Sequence, residues 1–223
     1  MKKEFEFTRK LRAGCRALDL PELDKDVEER LFRYFLELKR WSQKVNLIAR
    51  GTGDEEILEK HFLDSLTVLP FLTGKNPHML DIGTGAGFPG LVCKVAMPEL
   101  TVTLVEPRLK RVSFLRHIIR TLQLEDIAVL ECRVEDEDAL PTESGFTHIC
   151  SRAVSDIKVF LSMCSRFAKP ETKVICMKGP KWKEELDLYL GTGSDRVFTL
   201  STAKQYVLPE SKSLRNVMVF DSI

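Results

Sequence analysis

The stretch Met79–Gly90, MLDIGTGAGFPG, limits the folds open to this chain more than any other. An apolar run of Met79, Leu80 and Ile82 is interrupted only by Asp81. Glycines follow at 83, 85 and 87, and Pro89 opens an apolar segment from Gly90 to Met97. That order predicts a buried strand, a tight turn and a helix whose N-terminus faces the turn. Glycines at alternate positions let the backbone adopt φ > 0 and let a ligand approach it closely. Free N–H groups at the helix start would attract an acceptor-rich or anionic group.

The dinucleotide-binding pattern G-x-G-x-x-G would place its third glycine where this chain has Phe88. Asp81, Gly83, Gly85 and Gly87 instead read D-x-G-x-G-x-G, which resembles the first motif of class I S-adenosylmethionine methyltransferases. That resemblance implies a loop backbone holding the amino-acid end of the cofactor. Further on, the run TVTLVE ends in Glu106. An acid at the tip of a second strand can accept two hydrogen bonds from a ribose diol, which NAD carries as well, so Glu106 alone does not separate the two cofactors. A glycine turn with no ligand is the plain structural alternative, and the acid at the next strand end counts against it.

The chain has 223 residues, 43% hydrophobic and 30% charged, enough for one large domain, or a domain plus a helical extension, around a full core. No window approaches the ~18 uninterrupted apolar residues of a membrane span. The start, MKKEFEFTRK, carries Glu4 and Glu6 and lacks the apolar centre of a signal peptide. The cysteines at 15, 93, 132, 150, 164 and 176 form no C-x-x-C pair, and most sit in apolar runs. They read as reduced, buried residues of a cytoplasmic protein. His78, His117 and His148 lack metal-ligand spacing, so no metal is expected. Nothing demands a partner chain, and a monomer is expected.

A formal net charge of +1 does not announce a nucleic-acid binder, but the local distribution is uneven. Arg108, Lys110, Arg111, Arg116 and Arg120 crowd one segment against Glu106, and a second basic cluster runs from Lys169 to Lys183. Each is either a phosphate-contacting face or an ordinary solvated helix face.

Residues 1–77 read as a helical extension and 78–223 as the main domain. Leu11, Cys15 and Leu18 recur at helical spacing up to Pro21. Val27, Leu31, Tyr34, Phe35, Leu38 and Trp41 then form a long apolar stripe. A third helix is expected from Asp54, as N-cap, to Pro70. Beyond Met79 strands are expected at 79–82, 101–106, 127–132, 147–151, 173–178, 195–200 and 216–221. Helices are expected at 90–97, 109–122, 156–167 and 181–190. Such alternation implies an α/β fold with a doubly wound sheet and its ligand at the carboxyl ends of the strands. Two late strands with no helix between them suggest a closing hairpin. That matches the seven-stranded, Rossmann-like class I methyltransferase fold with an antiparallel last strand.

Further stretches single out one family. WSQKVNLIARGTGDEEILEKHFLDS carries Trp41, Asn46, Leu47, His61, Asp64 and Ser65, and ICSRAV places Ser151 and Arg152 at the end of the fourth strand. With GTGAGFPG, KRVSFLR, RVED (Arg133–Asp136) and MKG (Met177–Gly179), they resemble the RsmG/GidB family of bacterial small-subunit ribosomal RNA methyltransferases, from about Trp41 to Gly179. The tail beyond Lys181 matches weakly. The resemblance implies transfer of a methyl group from S-adenosylmethionine to N7 of a guanosine in the 530 loop of 16S ribosomal RNA. It implies cofactor contacts at Gly83, Phe88, Val134, Glu135 and Arg152. It also makes 16S RNA in the small subunit, or its precursor, the expected partner.

The residues suit that chemistry. Phe88, just past the turn, offers a ring to cover the cofactor; Val134 and Glu135 follow the third strand, where adenine lies in this fold. Guanine N7 carries a lone pair and no proton, so its methylation needs alignment and no general base. SRAV stands where exocyclic-amine enzymes often carry an N-P-P-Y-type motif, and no base adjoins Cys150 or Cys176 to make a nucleophile. Arg152 and Lys178 are the candidates nearest the reacting atoms. Asn46, His61, Asp64, Arg108, Lys110, Arg111, Arg116 and Lys178 are candidates for substrate contact. His61 and Asp64 fall on one helix face, where they either orient the base or tie the helix to the sheet. A small-molecule methyltransferase and a non-catalytic assembly factor are the rival readings.

Overall fold

The computed structural model describes residues 2–140, 142, 145–152, 155–191 and 196–223. Ala153 and Val154 of the SRAV stretch, and the first residue of the strand expected at 195–200, lie outside them. A seven-stranded sheet has the order β3-β2-β1-β4-β5-β7-β6. Its strands are β1 His78–Ile82, β2 Thr101–Val105, β3 Ile127–Leu130, β4 His148–Arg152, β5 Lys173–Lys178, β6 Phe198–Val207 and β7 Leu214–Ser222. β1 to β5 pair in parallel, and β7 runs antiparallel to both β5 and β6. This is the class I methyltransferase sheet, with the order reversing between β1 and β4.

Each strand sends alternate side chains to two apolar layers, as the period of an extended chain requires. Met79, Val102, Leu104, Cys150, Ile175 and Val217 enter one layer; Leu80, Ile82, Val105, Ile149, Val174 and Met218 enter the other. The first layer is closed by α1 Lys2–Ala17, α2 Lys25–Ser42, α5 Gly90–Ala96 and α6 Leu109–Leu122. The second is closed by α7 Ile157–Cys164 and α8 Trp182–Leu190. Thus the N-terminal helices do not build a core of their own. Leu11, Leu31, Tyr34 and Leu38, none of them exposed, join the same cluster as the sheet. The α2 stripe follows the expected spacing, with Asp26 and Glu28 in the first turn and Lys39 and Arg40 in the last, favourable to the helix dipole.

Four expectations shift. Asp54 is the first helical residue and not the N-cap, because Gly53 takes the extended cap conformation. That helical segment, α3 Asp54–Ile57, widens into a π-helical turn at Leu58–Leu63, returns to α4 Asp64–Leu66, and is followed by a separate 3-10 turn at Leu69–Phe71. The helix expected at 156–167 stops at Cys164 and tightens into a 3-10 turn, Ser165–Phe167. β6 runs on to Val207, well past the expected 200, because it is an edge strand with mostly exposed residues and so lacks an apolar alternation to betray it.

The β6–β7 hairpin is clamped to the π-helical turn. Glu59, only 2% exposed, accepts hydrogen bonds from the backbone N–H groups of Glu210 and Ser211 in the hairpin turn. Removing a buried carboxylate that satisfies two amides leaves both unpaired, so Glu59→Ala should destabilise the protein by about 3 kcal/mol in urea unfolding. Hydrogen exchange at Glu210 and Ser211 should quicken in the same variant.

Candidate functional site

The loop after β1 is held from inside by its own strand. Asp81, fully buried, directs Oδ2 at two donors: the Thr84 hydroxyl at 2.6 Å and the Gly90 N–H at 2.8 Å. The helix-start N–H expected to meet a ligand is therefore satisfied by Asp81. Oδ1 of the same carboxylate is buried without a partner among the described residues. Burial pushes the Asp81 carboxyl up to about 6, against the pull of those hydrogen bonds and of Arg152.

Gly83, Gly85 and Gly87 all have positive φ, which is what the alternating glycines predict. At Gly87 a Cβ would also collide with Leu91 at 2.5 Å and with the Tyr34 hydroxyl at 2.6 Å. Above Gly85 the space is open, with nothing nearer a Cβ position than Arg111 at 3.8 Å. The Gly85 N–H donates to Glu106 Oε2 at 3.0 Å, and Arg108 N–H donates to Oε1 at 3.0 Å. Each Glu106 oxygen keeps a further lone pair for a hydroxyl. Arg111 stands 3.6 Å from Oε2 and reaches 3.4 Å to the Asn46 carbonyl, tying α6 to the loop after α2.

Beyond the loop, Phe88 is 3% exposed and lies against Tyr34, stacked at 5.6 Å, and His61, stacked at 4.9 Å. The Arg152 guanidinium lies 5.1 Å from its ring centre. Phe62 meets the same ring edge-on at 5.5 Å, so Phe88 packs the glycine loop against the helices before β1 and against the tip of β4. Arg152, at the tip of β4, donates to the Lys60 carbonyl at 2.7 Å and to His61 Nδ1 at 2.9 Å, and stands 3.6 Å from Asp64 Oδ2. Asp64 also accepts from the Tyr206 hydroxyl at 2.9 Å and pairs with Arg215 at 3.5 Å. Burial pushes its carboxyl up, and Arg152, Tyr206 and Arg215 pull it back.

The fold therefore gathers Asp81, the glycines, Glu106, Arg111 and Asn46 about the ends of β1 and β2, and Arg152, His61 and Asp64 about the end of the neighbouring β4, with Phe88 in contact with both His61 and Arg152. Val134 is buried in the turn after β3, with Glu135 exposed beside it. Arg108, Lys110 and Arg116 project from the start and outer face of α6 into solvent. Lys178 does not point freely outward: it is paired with Glu185 at 2.8 Å and with the Ser155 carbonyl. Sequence reasoning missed Tyr34, whose hydroxyl donates to the Ala86 carbonyl within the glycine loop. A tyrosine in an otherwise apolar stripe was the available signal, since a buried hydroxyl needs a partner. Tyr206 and Arg215 sit on the poorly patterned hairpin and gave none.

The unpartnered Asp81 oxygen, the open space over Gly85 and the spare lone pairs of Glu106 suit a cofactor with a cationic amino group and a ribose diol. The buried Asp81 also makes a pH prediction. A folded-state value near 6 against about 4 unfolded means the native protein holds the extra proton between those limits, so this group's effect on stability grows more favourable as pH falls from 6 to 4. Asp81→Asn keeps one acceptor oxygen for Thr84 and Gly90 and carries no charge. The stability difference, wild type minus variant, should therefore rise by roughly 2–3 kcal/mol between pH 7 and pH 4 in parallel denaturant titrations.

Known proteins resemble this chain in sequence and in fold. The family model described as rRNA small subunit methyltransferase G (GidB) matches residues 27–218. A ribosomal RNA small subunit methyltransferase G from Desulfotalea psychrophila is 51% identical over 218 residues, covering 96% of this chain and 98% of the relative. Its counterpart from Myxococcus xanthus is 39% identical, covering 96% of each. Among solved structures, a precorrin-6y C5,15-methyltransferase from Geobacter metallireducens aligns with a TM-score of 0.55 at 13% identity, covering 78% of this chain and 92% of that one. An rRNA methylase from Streptococcus thermophilus aligns with a TM-score of 0.52 at 12% identity, covering 70% and 93%. The structural likenesses speak for the fold and the sequence matches for the lineage: this chain belongs to the rRNA small subunit methyltransferase G (GidB) family.

Proposed function

We propose that this chain, a ribosomal RNA methyltransferase that draws its methyl group from S-adenosylmethionine, acts on N7 of a guanosine in the 530 loop of 16S ribosomal RNA. One observation carries the choice of N7: the mouth beside β4 is furnished for alignment and not for proton removal or covalent attack. Arg152 occupies both His61 and Asp64 with hydrogen bonds or charge. All six cysteines are buried, and burial pushes the Cys150 and Cys176 thiols up. A ring nitrogen with a free lone pair is the nucleophile that needs neither base nor thiolate.

In this reading the glycine loop and Asp81 receive the amino-acid end of the cofactor, and Glu106 takes the ribose diol. Val134 and Glu135 edge the adenine. When bound, S-adenosylmethionine supplies a methyl carbon already activated by its sulfonium sulfur. Arg152, laid over Phe88, borders the reacting end and helps exclude water there. Arg108, Lys110 and Arg116 contact phosphates, Arg111 and Asn46 hold the rim, and Lys178 stiffens the wall through Glu185. The helices of residues 1–77 serve as an extension of the methyltransferase domain of residues 78–223. The protein works as a cytoplasmic monomer on the small subunit or its precursor. Among the described residues no helix is long and apolar enough to cross a membrane, and no group of three or more His, Cys, Asp or Glu side chains can hold a metal ion.

A strain lacking the gene should lose 7-methylguanosine from the 530 loop. Wild type should restore it and Gly83→Asp should not. An unchanged modification in the deletion strain would overturn the reading. Neutralising Arg108, Lys110 and Arg116 one at a time should weaken RNA binding and lower the slope of log affinity against log salt by about 1 for each phosphate left without its cation, with cofactor affinity unaltered in calorimetry.

A further inference from the structure

A guanidinium carries hydrogen-bond donors and no acceptor. Arg152 Nη2 lies 2.9 Å from His61 Nδ1, so that ring nitrogen must be the acceptor. A neutral imidazole has one donor and one acceptor nitrogen, and its hydrogen is therefore on Nε2. The ring stays neutral: burial, Arg152 and Lys60 push His61 down to about 3. Asp64, the acid in contact with Arg152, is itself engaged by Tyr206 and Arg215. His61 Nε2 makes no hydrogen bond among the described residues, and the side chain is half-buried.

The position of this donor is set as firmly as its chemistry. His61 lies in the π-helical turn and stacks on Phe88 at 4.9 Å, and Phe88 belongs to the same loop as the glycines that cradle the cofactor. Such turns inserted in helices are frequent at functional sites. Arg152 places the ring beside the tip of β4, the strand next to β1, where the strand order reverses, which is the position at which open sheets of this kind hold their ligands. The methyl carbon would be delivered there.

We infer that His61 donates its Nε2–H to O6 of the target base and so selects guanine over adenine. Guanine offers two acceptors side by side, N7 and O6, whereas adenine sets an N6 amino donor next to N7. A fixed donor on O6 leaves the N7 lone pair free to attack and aligns the ring. The same donor meets the adenine amino group hydrogen to hydrogen. Since Nε2 already carries its hydrogen, His61 acts as a specificity-determining residue and takes no proton.

This inference rests on the N7 reading above, and the test keeps the two apart. Small subunits reconstituted with 16S RNA carrying either guanosine or 2-aminopurine riboside at the target would be methylated in parallel. 2-Aminopurine keeps N7 and lacks O6. Wild type should lose at least about tenfold in kcat/KM on the analogue. His61→Ala should be slow on both and no longer distinguish them, with cofactor affinity by calorimetry unchanged. His61→Gln, which keeps an amide donor, should recover part of the discrimination. Equal discrimination by wild type and His61→Ala would overturn the assignment. So would side-chain nitrogen NMR of wild type showing the hydrogen on Nδ1, a measurement that stands even if the variants fail to fold. No methylation of guanosine itself by wild type would refute the N7 reading, and with it this one.

Discussion

The two hydrogen bonds that converge on Asp81 Oδ2 are the constraint from which the rest of the site follows. One comes from the Thr84 hydroxyl and one from the Gly90 N–H, so a single buried oxygen fixes both ends of the glycine loop. Taking a carboxylate out of water is costly unless donors replace the solvent. Here they replace it on one oxygen only, and the carboxyl is held well above its usual range. Stability given up at Asp81 is matched by definition: the loop can neither slide along the strand nor lift from the helix. Gly90 must then pass so close to the strand that a Cβ would lie 2.7 Å from Asp81 Oδ2 and 2.5 Å from Leu104.

Around that fixed loop three distant parts of the chain are drawn together. Tyr34 of α2 supports the loop through the Ala86 carbonyl and the ring of Phe88. The π-helical turn brings Lys60 and His61 to Arg152. The β6–β7 hairpin contributes Tyr206 and Arg215 to the same carboxylate, Asp64, that faces Arg152. Arg152 is the hub because a planar guanidinium can address a carbonyl, an imidazole and a carboxylate at once while its face rests on an aromatic ring. Lysine, a compact charge on a flexible stem, would not hold that arrangement.

Much of this is legible in the amino-acid order alone, for physical reasons that can be named. The alternating glycines needed positive φ and have it. β1, β2, β4 and β5 are central strands, buried on both faces, and short apolar-rich stretches mark them even though Asp81, Thr103 and Ser151 interrupt the runs. Asp156 caps α7 through the Val159 N–H, as a short acid before an apolar helix should. What stayed hidden lacks a local signature. β6 from 201 to 207 is exposed edge strand, and its serine, threonine, lysine and glutamine do not alternate with apolar partners. The π-helical turn differs from a regular helix by one hydrogen-bond register, which residue type does not record. The packing around Phe88 left no local trace because its four aromatic and cationic neighbours, Tyr34, His61, Phe62 and Arg152, come from segments far away in the chain. The pairing of Lys178, read as a candidate for substrate contact, left no local trace because Glu185 is supplied by the next helix.

The clamp of Glu59 on the hairpin joins residues 152 positions apart. Contacts of such separation form late, since the intervening chain must close before they repay its entropy. During synthesis the glycine loop and its supporting helices leave the ribosome well before residues 206–215 do. A nascent chain therefore holds the glycine loop braced by Asp81 for some time before Tyr206 and Arg215 reach Asp64, so the carboxylate that faces Arg152 is the last part of this cluster to gain its partners.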